Sequence, residues 1–185
     1  LRNTLQPAQI DYMIATHPHA DHIGGLPDVL KAYTVKKLYS PVDVYDSRTF
    51  ERMAQYAADQ GLSITVAQAG QSFSLGRAKV EFLAPLGIYD DINDISLVAK
   101  VTFGETTFLF TGDAERPSEQ DMADSDEDLS ATVLKVGHHG SNTSSSYVFL
   151  RNVMPQYAVI SCGAGNSYGH PHEEVLSRLR DINAT

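Results

Sequence analysis

Thr16-His17-Pro18-His19-Ala20-Asp21-His22-Ile23-Gly24-Gly25 is the stretch on which the reading of this chain turns. It follows Ile10 to Thr16, an apolar run with β-branched and aromatic members, which predicts a buried strand ending at His17. Side chains two apart in an extended segment project to the same side, so His17 and His19 are placed to grip one ion. The chain then turns, and Asp21 with His22 faces a second. Pro18 stiffens the segment, while Gly24 and Gly25 let the backbone turn away and leave the site open. Imidazole and carboxylate together suit zinc, and also manganese or iron.

Working outward, all seven histidines fall into three clusters: His17, His19 and His22; His138 and His139; His170 and His172. Thr111-Gly112-Asp113 closes another apolar strand, and a carboxylate delivered there is placed to bridge two cations. Leu134-Lys135-Val136-Gly137-His138-His139-Gly140-Ser141 repeats the order of strand, glycine, ligand types and glycine. Asn142, Thr143 and three serines follow, at the expected start of a helix over 144–153. That start can serve as an anion cradle, with Ser141, Asn142 and Thr143 as candidate substrate-binding residues, or as a simple N-cap. The last constellation is Tyr168-Gly169-His170-Pro171-His172.

The remaining elements follow from periodicity. Helices are expected over 27–32, 47–60, 115–124 and 172–181, and strands over 37–40, 63–67, 72–75 and 78–83. A hairpin is expected from 96–103 and 107–111 around Gly104, and further strands over 132–136 and 157–161. Strands come in a run first and alternate with helices second, which suits a layered α/β fold. Each histidine cluster follows a strand, where loops on a rigid scaffold carry sites. No linker or fixed-period repeat interrupts the 185 residues, so one domain over 1–185 is expected.

Charge and composition exclude several functions. Fourteen basic against 23 acidic residues give a net charge of −9, a poor basis for indiscriminate phosphate binding. The acidic run from Glu115 to Asp128 reads as a solvated face. One cysteine, Cys162, excludes an internal disulfide framework. No apolar run is long enough to span a bilayer, and no leader pattern opens the stretch.

His17-x-His19-x-Asp21-His22, Thr111-Gly112-Asp113 and a later strand-end histidine together resemble the metallo-β-lactamase superfamily. The wording of "HPHADHIGG", "FLFTGDAE", "LKVGHHGSNTSSS" and "AVISCGAGNSYGHPHEEVLSRL" is similar to the metallo-hydrolase domain of ComEC-type DNA-uptake proteins and their free-standing relatives. The resemblance implies an αββα sandwich with a dinuclear site on its edge. It implies His17 and His19 on one ion, Asp21 and His22 on the other, Asp113 as the bridge and His139 as the last ligand. His170 is the rival for that last place. Asp113, His138 and His170 are the expected catalytic groups, with two divalent ions, zinc or manganese, as cofactors and iron as a further option.

Two departures from the family pattern stand out. Many superfamily hydrolases place another ligand histidine between the first motif and the bridging aspartate; here Asn93-Asp94-Ile95-Ser96-Leu97 occupies that interval and His170 is the replacement expected. The family fold also opens with several strands before the first motif, so the resemblance implies a chain lacking them. The expected function is a phosphodiesterase or nuclease acting on DNA in a competence-type uptake system. A membrane channel domain would be its neighbour in the full-length protein, on the extracytoplasmic face of a bacterial membrane; a free-standing relative would be cytoplasmic or secreted. The alternatives are another ester hydrolase on the same site (a phosphorylcholine esterase, lactonase or thioesterase) and a non-catalytic domain that guides DNA.

Overall fold

A computed structural model describes residues 9–185. Its contacts divide the chain into two units, the first ending at Ala67 and the second beginning at Gln68.

The first unit is built on a parallel sheet of β1 (Gln9–Ile14), β2 (Thr34–Ser40) and β3 (Ile64–Val66), in that order. Parallel neighbours need a crossover. Two short helices, α1 (Ala20–Ile23) and α2 (Leu26–Ala32), supply the first, and α3 (Arg48–Asp59) supplies the second. Among the described residues, strand and helix therefore alternate already in the first unit, and the uninterrupted run of strands is confined to the middle. The apolar spacing expected over 47–60 buries Phe50, Met53 and Ala57 from α3 against Met13, Leu30, Val35 and Leu38. Ser47 caps that helix by accepting from the Phe50 amide at 3.2 Å. Beyond its end, the Gln60 side chain accepts from Val35 N at 2.9 Å and donates to the Leu30 and Tyr33 carbonyls, tying α3 to the end of α2.

The second unit holds a six-stranded sheet in the order β4 (Ser72–Leu75), β5 (Ala78–Ala84), β6 (Val98–Phe103), β7 (Thr106–Phe110), β8 (Val133–Lys135) and β9 (Tyr157–Val159). The first four run as an antiparallel meander, with Gly104 at φ +60° in the tight β6–β7 turn. β7, β8 and β9 are parallel, joined through α4 (Arg116–Asp124) and α5 (Tyr147–Val153); α6 (Glu173–Asp181) closes the chain. Val98, Leu109, Met122, Leu134, Phe149, Leu150, Val153, Val175 and Leu179 share one core.

Two expectations shift here. The helix expected from Ser144 begins at Tyr147, with Ser146 as its cap. The amides of Ser145 and Ser146 just before it are taken by the buried carboxylate of Glu119, at 2.5 and 2.8 Å. Glu119 thus departs from the solvated acidic face expected over 115–128, because its helix turns it inward. Burial pushes its carboxyl above the usual range, opposed by those amides and by Arg178.

Candidate metal centre

In the first unit, Ala15 extends the pairing of β1 by donating to the Tyr39 carbonyl at 2.8 Å, and the chain then leaves the sheet through Thr16. His17 is fully buried. Its Nε2 lies 3.1 Å from His19 Nδ1, so the two side chains meet as their spacing predicts. His19 then starts a helical turn in place of further extended chain: the His22 and Ile23 amides donate to its carbonyl, each at 3.1 Å. That turn carries the His22 ring to 4.1 Å from His17 and sets its Nε2 3.5 Å from Asp21 Oδ2. Thr16 Oγ1 sits between, 3.2 Å from His17 Nδ1 and 3.5 Å from His22 Nδ1. Gly24 is required because a Cβ there would lie 2.4 Å from the Ala20 carbonyl oxygen. Neither the helical turn nor the Thr16 contacts were legible in the motif's spacing.

In the second unit, β7 delivers Thr111, Gly112 and Asp113 to the sheet end. Gly112 at φ +55° turns the chain, and Ser96 Oγ accepts from the Asp113 amide at 3.1 Å. Thr111 Oγ1 donates to the Lys135 carbonyl at 2.8 Å, and the His138 amide donates to the Gly112 carbonyl at 3.2 Å. These bonds lock the Asp113 loop to the histidine loop after β8. Lys135 Nζ adds a longer link between the loops, donating to the Gly112 carbonyl at 3.5 Å as well as to the adjacent Val136 carbonyl at 2.8 Å; burial lowers its pKa, and the charge of Asp113 opposes that shift.

His138 (φ 45°, ψ 48°) and His139 (φ 55°, ψ 19°) are consecutive left-handed residues. For residues with a Cβ, this conformation costs about 1–2 kcal/mol each. The result is convergence: His139 Nε2 lies 3.4 Å and His138 Nε2 4.0 Å from Asp113 Oδ2. The outer ring nitrogens are tied back. His139 Nδ1 donates to the Ser161 carbonyl at 2.8 Å, and His138 Nδ1 lies 2.8 Å from Glu115 Oε1. A metal-ligating histidine is held in this way, one nitrogen anchored and the other presented, so the donor set fits a divalent cation.

Glu115 departs from the solvated acidic face expected over 115–128. Its Oε1 also accepts from Thr143 Oγ1 at 2.9 Å and Asn93 Nδ2 at 3.2 Å. Asp94, to which the sequence gives no role, is buried and accepts from the Glu115 and Ser118 amides at 2.9 and 3.2 Å, holding the start of α4. No local signal marks either residue, since their partners come from distant segments.

His170 completes the second cluster, with ring centroids 5.7 Å from His138 and 6.4 Å from His139. Desolvation and the neighbouring His172, His138 and His139 hold its pKa below the usual value. His172 is a scaffold residue: Nδ1 accepts from the Asn142 amide at 2.9 Å and Nε2 donates to the Tyr168 carbonyl at 3.1 Å. Ser141, Asn142 and Thr143 lie in the loop after the histidines rather than on α5; Ser141 Oγ is 2.9 Å from Thr143 Oγ1, which is 3.2 Å from His138 Nδ1.

Comparison with known proteins agrees with this architecture. A family model described as the metallo-beta-lactamase superfamily matches residues 2–164. ComE operon protein 3 of Bacillus subtilis is 34% identical over 173 residues, covering 93% of this chain and 22% of that protein. Competence protein ComA of Neisseria gonorrhoeae is 33% identical over 174 residues, covering 93% of this chain and 23% of that protein. The chain thus spans about a fifth of the length of the curated relatives it matches. Among solved structures, CmlA, a diiron beta-hydroxylase from Streptomyces venezuelae, aligns over 97% of this chain and 43% of its own at a TM-score of 0.64 and 17% identity. The metallo-beta-lactamase fold protein YhfI from Bacillus subtilis aligns over 93% of this chain and 70% of its own, at 0.56 and 15%. At these identities the structural likeness speaks for the fold, and with the family match it leads to one conclusion: the chain belongs to the metallo-β-lactamase superfamily and has its mixed α/β fold.

Proposed function

We propose that this chain is a metal-dependent phosphodiesterase acting on DNA, as one hydrolase domain of a competence-type uptake system with a membrane channel as its neighbour. The observation that carries the hydrolase reading is the convergence of His138 and His139 on Asp113, with their outer nitrogens anchored by Glu115 and by the Ser161 carbonyl. The DNA reading draws on relatives such as the protein named for competence. By family membership, two divalent ions (zinc or manganese, with iron a further option) would be held by His17, His19, Asp21, His22, His139 and Asp113. The chemistry such ions supply is Lewis-acid activation of a water and neutralisation of phosphate charge, which a chain of net charge −9 does not provide by itself.

The chain's own residues do the rest. Asp113 orients the attacking water. His138, its Nδ1 held by Glu115, delivers a proton from Nε2 to the leaving oxygen. His170 supports that leaving group, and Ser141, Asn142 and Thr143 contact the substrate beside His138. The test is turnover of bis-p-nitrophenyl phosphate and of a labelled DNA single strand, after chelation and refilling with manganese or zinc. Metal-dependent cleavage of both, abolished by His19→Ala, is expected. A folded, metal-loaded protein that cleaves neither overturns the reading and leaves a non-phosphate ester or a purely DNA-guiding role.

A further inference from the structure

We propose that Tyr168 is a base-stacking platform of this site, so that the substrate is recognised as a strand with accessible bases rather than as a bare phosphodiester. The inference rests on the phosphodiesterase reading and adds its recognition element. Tyr168 is 76% exposed, well above Phe103 at 52%, Tyr157 at 46% and Phe110 at 44%. Its ring nonetheless has a partner: it stacks on His170 at 5.5 Å between centroids and 21° between planes. One face of the phenol is thus set against a candidate catalytic imidazole, and the ring stays open to a ligand from solvent.

The loop holding it is cross-braced by hydrogen bonds. Asn166 Oδ1 accepts from the Tyr168 amide at 3.1 Å and the His170 amide at 3.0 Å, while its Nδ2 donates to the His170 carbonyl at 2.6 Å and the Gly163 carbonyl at 2.9 Å. His172 Nε2 donates to the Tyr168 carbonyl at 3.1 Å. Packing does not explain the placement, because a ring this exposed gains little from burial. A pre-positioned aromatic face beside the site is instead the feature that holds single strands, since every base offers a π-face. Charge points the same way. With 23 acidic against 14 basic residues, phosphate attraction from the chain is weak, and stacking does not depend on it.

The test compares two labelled strands of equal length and identical phosphodiester backbone, oligothymidylate and its abasic tetrahydrofuran counterpart, on the manganese-loaded protein. The wild type is expected to show a KM about tenfold lower for the base-bearing strand. Tyr168→Ala should bring that ratio near parity, and Tyr168→Phe should keep it. A ratio unchanged in Tyr168→Ala, or an equal rise in KM for both strands, overturns the proposal; the latter makes Tyr168 a scaffold residue only. If the wild type cleaves neither strand, the phosphodiesterase reading has failed. Fluorescence anisotropy of the same strands then decides the stacking: base-dependent binding lost in Tyr168→Ala supports it, and base-independent or absent binding overturns it.

Discussion

Gly140→Ala is the substitution by which the geometry of the histidine loop is best tested. Gly140 follows His139, has φ +84°, and its carbonyl accepts from the His172 amide at 2.9 Å. A Cβ at this position would lie 2.7 Å from Pro171 Cβ, 3.0 Å from Pro171 Cα and 3.4 Å from Ile160 Cγ2. Ordinary carbon contacts are about 3.5–4.0 Å, so Pro171 must retreat by roughly 1 Å. Its neighbours His170 and His172 move with it, because the obstruction includes backbone. The left-handed φ costs a residue with a Cβ about 1–2 kcal/mol, and overpacking adds about 1–3 kcal/mol. A loss of about 3 kcal/mol corresponds to a fall in Tm of roughly 6–12 °C for a chain of this size. Gly165→Ala is the matched control, since Gly165 has φ +66° with nothing within 4 Å of an added Cβ. It should cost only the backbone part, about 1–2 kcal/mol. Thermal and urea unfolding of both variants measure the difference. Equal destabilisation by the two would refute the close seating of Pro171 on Gly140, and with it the account of how the loop carrying His170 is positioned.

Other outcomes follow from the same contacts. Glu115→Gln removes the charge that holds His138 Nδ1 and should lower kcat about tenfold at unchanged metal content; steady-state kinetics with metal analysis separate that from loss of an ion. The hydrogen bond from Lys100 at 2.8 Å, then those from Ser130, hold the Asp128 carboxyl at about 2, below its ordinary 3.8. A depressed carboxyl contributes stability above its unfolded value and loses it as pH falls, here between about pH 4 and pH 2. Asp128 is largely exposed, so screening keeps the effect below about 1 kcal/mol; Asp128→Asn should flatten that part of a urea-midpoint-against-pH curve. Ser47→Ala should cost about 1 kcal/mol by uncapping α3, seen as a lowered urea midpoint at constant m-value. Chelation should lower the Tm of the metal-loaded protein, with recovery on refilling, because an ion bound only by the folded state stabilises it.

Much of this protein is local and therefore readable in its sequence. Ser47 followed by apolar residues at helical spacing locates α3, because capping and periodicity act within a few residues. The i, i+2 spacing of His17 and His19 places them together, because an extended backbone fixes direction at short range. The order of strand, glycine and ligand types at Asp113 and at His138 locates the second cluster for the same reason. The superfamily is legible as well, since its motifs are contiguous words.

Tertiary structure decided the rest. Glu115 and Glu119 lie in one acidic run, yet the fold gives Glu115 to His138 and buries Glu119 under the Ser145 and Ser146 amides. Which carboxylate finds which donor depends on segments more than 20 residues away, and composition carries no record of that. The left-handed turn at His138 and His139 runs against local preference and persists because the Gly112 carbonyl, Glu115 and the Ser161 carbonyl hold it. Short-range sterics and periodicity write the elements and their ligand types into the sequence; long-range hydrogen bonds, which only the folded chain brings together, set the directions of the side chains.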